Sequence, residues 1–204
     1  EEYDGTNWSA GGSMNTARRY GAGCGIQTSA LVFGAGPTAV VKTELYNGTS
    51  WTEVADMAVA QKNHGGAGTT TAGLSCGGES PTNSRRVTQE WNISANIITS
   101  DTWASGGNLG SSHYNRGGAG IQTAALAFGG VPIIAKTEEY NGSSWSEQND
   151  LGTARQKLGG CGIQTAALAF GGLEPSRSDK TEEYDGSSWS EQNNLSAVTD
   201  SLAG

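Results

Sequence analysis

The residues with chemical reach are few and scattered. His64 and His113 stand in separate stretches of the chain, with no thiol or carboxylate beside them at a spacing that completes a metal-ligand set. Cys24, Cys76 and Cys161 form no CxxC pair, and their odd number argues against a disulfide framework. Cys24 and Cys161 stand at equivalent places where other units of the chain carry Ala67 and Ala119. A thiol interchangeable with alanine reads as a small buried packing residue, not as a nucleophile. The paired carboxylates Glu138-Glu139 and Glu182-Glu183 invite an acid/base reading, yet they recur at the same place in successive units. On a strand, one member of each pair must turn outward, so solvated edge charge is the expected role. No catalytic residue, metal or cofactor is expected.

What remains is recognition chemistry. Arg18, Arg19 and Tyr20, then Lys62 and His64, then His113, Tyr114 and Arg116, then Arg155 and Lys157 cluster at regular intervals, and Arg177 lies in a loop nearby. Forked donors, ammonium groups and aromatic hydroxyls of this kind suit a carbohydrate or an acidic peptide. The chain as a whole carries 12 Lys and Arg against 20 Asp and Glu, net −8, which argues against nucleic acid or an anionic membrane as partner. It also has no apolar run of the ~18 residues that reads as a membrane-spanning helix. The expected partner is a glycan or a protein, with no nucleic acid and no membrane insertion.

The elements that position these residues are repeats. Thr181-Glu182-Glu183-Tyr184-Asp185-Gly186-Ser187-Ser188-Trp189 recurs from Thr137 to Trp145, from Thr43 to Trp51 and from Glu1 to Trp8, with a degenerate copy beginning at Thr88. A second phrase, Gly162-Ile163-Gln164-Thr165-Ala166-Ala167-Leu168-Ala169-Phe170-Gly171-Gly172, recurs from Gly120 to Gly130 and more loosely from Gly25 to Gly34 and Gly68 to Gly78. The two phrases alternate. In the first, an Asx-Gly pair between aromatic strand residues is a strong hairpin signal, because both residues accept positive φ cheaply. In the second, short apolar strands turn at Ile-Gln-Thr and end on glycine. Four strands per unit and no apolar face of period 3.6 predict an all-β propeller of four-stranded blades.

A strand ending Gly171-Gly172, then Tyr184, then Trp189, with Arg18 and Arg155 before the next unit, resembles the kelch motif over essentially the whole chain, taken as one domain of residues 1–204. The Arg position departs to Gln61, His113 and Thr199 in other units, and Ala35 follows Gly34. The regular first phrase also resembles repeat proteins of bacteriophages and marine microbes. The resemblance implies a binding or structural module, displayed on a virion or cell exterior. Five first phrases but four second phrases predict five blades. The N-terminal hairpin would supply the outer strands of a composite blade, and the tail around Leu202 part of its inner strand. The chain opens inside a repeat, so a preceding segment, or a longer array of which these residues are a fragment, is the rival expectation.

The repeats differ on one rim. The Ile-Gln-Thr and Asx-Gly turns are nearly constant, whereas the loops 35–41, 79–86, 131–135 and 173–179 vary and each carries one proline. The segments joining successive units vary on the same face. A rigid scaffold that diverges on one rim suggests a binding face. A non-enzymatic recognition module is therefore expected, with a structural spacer or decoration as the alternative and a carbohydrate-active enzyme ranked below both. The insertion 92–102 in the third unit reads as loop growth.

Overall fold

The computed structural model describes residues 1–36, 38–80, 83–93 and 102–201. Pro37, Pro81, Leu202 and most of the 92–102 insertion, on which sequence expectations fell, lie outside these. The chain forms strands and no helix among the described residues. An N-terminal hairpin of β1 (Glu2–Tyr3) and β2 (Trp8–Ser9) comes first. Blade one comprises β3 (Ala22–Ile26), β4 (Ser29–Phe33), β5 (Thr43–Tyr46) and β6 (Trp51–Val54). Blade two comprises β7 (Gly65–Gly68), β8 (Ala72–Cys76), β9 (Thr88–Asn92) and β10 (Thr102–Ser105). Blade three comprises β11 (Gly117–Ile121), β12 (Ala124–Phe128), β13 (Thr137–Tyr140) and β14 (Trp145–Glu147). In blade four, β15 (Gly159–Ile163) and β16 (Ala166–Phe170) precede a small ribbon of β17 (Leu173–Glu174) and β18 (Ser176–Arg177). Strands β19 (Thr181–Tyr184) and β20 (Trp189–Glu191) then complete the sheet.

Every blade is an antiparallel meander, and the blades are arranged as a propeller. Its inner strands β3, β7, β11 and β15 are rich in glycine because they crowd one another. A Cβ added to Gly66 would lie 3.0 Å from the Gly23 carbonyl, and one on Gly160 would lie 2.7 Å from that of Gly118. The outer hairpins close on the predicted Asx turns. In blade four the Ser187 and Ser188 amides donate to Asp185 Oδ1, both at 2.8 Å, and Gly186 takes φ +89°. Across that hairpin Tyr184 faces Trp189, ring centres 5.0 Å apart.

The core lies between blades. Ala119, Leu126 and Phe128 of blade three cluster with Ala167, Ala169 and Tyr184 of blade four. Polar contacts repeat beside it. The indole N–H groups of Trp103, Trp145 and Trp189 donate to Thr43, Thr88 and Thr137 on the preceding blade. The Tyr140 and Tyr184 hydroxyls donate to Glu90 and Glu139 in the same direction. Tyr46 donates to Glu2 of the N-terminal hairpin, so that hairpin sits beside blade one as blades two and three sit beside their successors. At the remaining junction both partners change together: Trp91 replaces the tyrosine of blade two and Leu45 the glutamate of blade one.

These contacts correct the expectation for the paired glutamates. Glu44, Glu138 and Glu182 are buried, paired with Arg18, Arg116 and Arg155, while Glu90 and Glu139 accept tyrosine hydroxyls. Strand alternation does send the two members to opposite faces, and the second face is covered by the next blade except in blade four, where Glu183 is exposed as expected. The cysteine expectation is corrected as well, since Cys161 is exposed and Cys24 only half-buried.

Equivalent leucines therefore differ in what covers them. Leu126 is fully buried and Leu168 is 38% exposed. Leu126→Ala is expected to cost about 2–5 kcal/mol and Leu168→Ala less than about 1 kcal/mol, measured by urea denaturation.

Candidate functional site

Five residues mark the mouth of the central channel. Tyr20, Asn63, Asn115 and Lys157 each stand just ahead of an inner strand, Ser201 follows β20, and all five adopt the left-handed conformation, with φ between 53° and 62°. The Asn63 amide donates to the Tyr20 carbonyl at 2.8 Å, Asn115 to Asn63 at 2.8 Å, Lys157 to Asn115 at 2.9 Å and Ser201 to Lys157 at 2.9 Å. This backbone chain satisfies groups that a tight bend would otherwise strand, and asparagine at two stations accepts the left-handed bend most readily. Ser201 supplies a fifth station beyond the four complete blades.

The stations surround a cavity of about 490 Å³, lined by Tyr20, Lys62, Asn63, Asn115, Lys157 and Ser201 above the glycine-rich strands. Tyr20 is 52% exposed, with the Arg19 guanidinium 5.3 Å from its ring centre. Lys62 lies 3.4 Å from Glu79, whose carboxylate also accepts from the Asn63 side chain at 2.7 Å. Lys157 makes no ion pair among the described residues. The variable loops do meet the joining segments on this face: Lys62 bridges Glu79, Tyr114 bridges Val131 and Gln156 bridges Leu173.

Four of the sequence-predicted site residues sit elsewhere than expected. Arg18, Arg116 and Arg155 turn inward, their side chains at most 4% exposed, to pair with glutamates and, for Arg18 and Arg155, to donate to backbone carbonyls. They fasten the third strand of each blade to the loop that enters it, and the guanidinium fork suits that dry junction. His64, expected as a surface group, is buried at 6% exposure. Its Nδ1 lies 2.9 Å from Ser75 Oγ, and burial pushes its pKa down to about 4, so it is neutral near pH 7. His113 is half-buried, its Nδ1 3.2 Å from the Val131 carbonyl, and it is lowered first by burial and then by Arg116. Arg19, Tyr20, Lys62, Tyr114 and Lys157 lie on the expected face, and Arg177 is 66% exposed beside Asp200 at 2.8 Å.

Asn63, Asn115 and Ser201 do not stand out by residue type. For Asn63 and Asn115 the signal is positional, a left-handed-tolerant residue just ahead of a glycine-rich strand. Among the described residues, no three His, Cys, Asp or Glu side chains converge as a metal would require. Fold and cavity together define a repeat β-propeller with an amide-lined, basic channel mouth. No protein-family model matches the chain, and no curated protein matches it.

Proposed function

We propose that the chain is a non-enzymatic recognition module that binds an acidic glycan at the channel mouth. The observation that carries this reading is the cavity of about 490 Å³, within the usual range for small-ligand sites, lined by the exposed Tyr20, by Asn63 and Asn115, and by Lys157, which makes no ion pair among the described residues. Sugars use such sets: an aromatic face for the ring, amides for hydroxyl pairs and a cation for a carboxylate. The kelch-like wording and display on a virion or cell exterior belong to the same proposal. The exposed Tyr3, Trp8 and Leu168 favour a second reading, a structural module within an assembly.

A glycan array followed by calorimetry on the best ligand tests the proposal. Tyr20→Asn and Lys157→Asn keep a residue suited to the left-handed bend, since asparagine already holds two stations. Each is expected to weaken binding by about tenfold, equivalent to ~1.4 kcal/mol. Unchanged affinity in both variants would remove the channel mouth as the site. No glycan binding together with ordered self-association would favour the structural module, and turnover of a bound glycan would overturn the non-enzymatic reading.

A further inference from the structure

The sector between blade four and blade one is built differently from the others. On its blade-four side Cys161 and Leu168 are exposed, although their counterparts Ala119 and Leu126 are buried under the next blade. Thr181 Oγ1 is buried without a partner among the described residues, whereas Thr43, Thr88 and Thr137 each accept an indole N–H. The matching indole is that of Trp8, and it is 68% exposed. On the blade-one side a groove of about 660 Å³ runs between the N-terminal hairpin and β3–β4. Gln27 lines it, and its counterparts Gln122 and Gln164 donate to the Trp91 and Tyr140 carbonyls of the preceding blades at 2.8 Å.

We propose that this groove is the docking site for a β-hairpin of the chain's own second phrase, the Gly-Gly-x-Gly-Ile-Gln-Thr-Ala-Ala-Leu-Ala-Phe wording of β11–β12 and β15–β16. The occupant follows from repetition: this phrase covers the walls of blades two and three through Ala125, Ala167 and Ala169, and Gly73 of its looser copy lies against Leu31 and Cys24 of blade one. β1 pairs with β2 and with no second strand among the described residues, so its other edge is free to add one. Seating the hairpin would cover Leu168 and Cys161, supply Gln27 with backbone carbonyls and draw Trp8 onto Thr181. The occupant is apolar and neutral, unlike the ligand proposed for the channel mouth, although the groove and that cavity share Tyr20, Gly21, Ala22 and Gly23.

The test adds a synthetic peptide of residues 117–130 with blocked ends, which contains no charged side chain and no cysteine, to the 204-residue protein. Stoichiometric binding is expected, with alkylation of Cys161 slowed by about tenfold, because a covered thiol reacts only when the site opens. The accompanying change in tryptophan fluorescence is expected to disappear in Trp8→Phe. Leu168→Asp, on a face already exposed, is expected to leave the fold intact and abolish binding. Absence of protection, or equal protection by a scrambled peptide, would overturn the proposal. Protection of Cys161 that rises with protein concentration alone would overturn it in favour of a second copy of the chain.

Discussion

Arg155→Ala is expected to cost about 3–5 kcal/mol of stability. The Arg155 side chain is buried, and its guanidinium donates to the Gly171 and Lys180 carbonyls at 2.8 and 2.7 Å and to Glu182 at 2.9 Å. Glu182 in turn accepts the Gly152 amide at 2.6 Å. Removing the cation strands a buried carboxylate and two carbonyls at once, which costs far more than the ion pair contributes net. Blade two shows how the same junction survives without charge. There Gln61 replaces the arginine and Gln89 the glutamate; Gln61 donates to Gly77, and Gln89 holds both the amide and the carbonyl of Val59. The double variant Arg155→Gln with Glu182→Gln is therefore expected to recover most of the loss. Urea denaturation of the two single glutamine variants and the double variant gives the coupling directly. A double variant no more stable than Arg155→Ala would show that the neutral junction does not transfer between blades.

That junction also explains where reading the chain as a sequence succeeds and where it stops. The hairpins are legible because their signals are local. An Asx-Gly pair fixes its own turn, and Tyr184 meets Trp189 across it whatever the rest of the chain does. Blade membership is legible because the phrases repeat. The partners of the charged groups are not, because they lie in the neighbouring strand or the next blade: Arg155 and Glu182 are 27 positions apart, and Tyr184 and Glu139 are 45. A residue type reports its chemistry and not its depth, so arginines that seal a dry junction resemble arginines that greet a ligand. Compensating pairs carry the missing signal. Arg with Glu changes to Gln with Gln in blade two, and Tyr with Glu changes to Trp with Leu between blades one and two. Exchanges in which both members change together point to contact, and contact between such groups points inward.

Acid is expected to destabilise the chain between about pH 6.5 and pH 4 mainly through His64, with half-buried His113, also lowered, losing stability in the same direction. The His64 ring lies beside Phe33, centres 5.6 Å apart, and its Nε2 is buried with no hydrogen-bond partner among the described residues. Burial pulls the imidazole down to about 4 in the folded chain, whereas an unfolded histidine titrates near ~6.5. The unfolded state therefore takes up a proton first as the pH falls. Stability is complete above the unfolded value and drains away until the folded value is reached, by about 3 kcal/mol in all. Glu44 adds a separate and lower window. Burial raises its carboxyl, but the Asn15 amide and side chain and the Arg18 guanidinium outweigh that and hold it below 4.5, so its contribution goes only in stronger acid. Blade four supplies the control, because Leu158 occupies the station of His64 there and is buried among apolar side chains. His64→Leu leaves Ser75 Oγ its bond to Gln61 at 3.2 Å and removes the proton site. Urea midpoints of the wild-type chain are expected to fall between pH 7 and pH 4.5, and those of His64→Leu to fall much less, through His113 alone of the two histidines. Parallel curves would mean that the imidazole is reached by water before the blades separate, and the buried neutral histidine would lose its place in the stability of the ring.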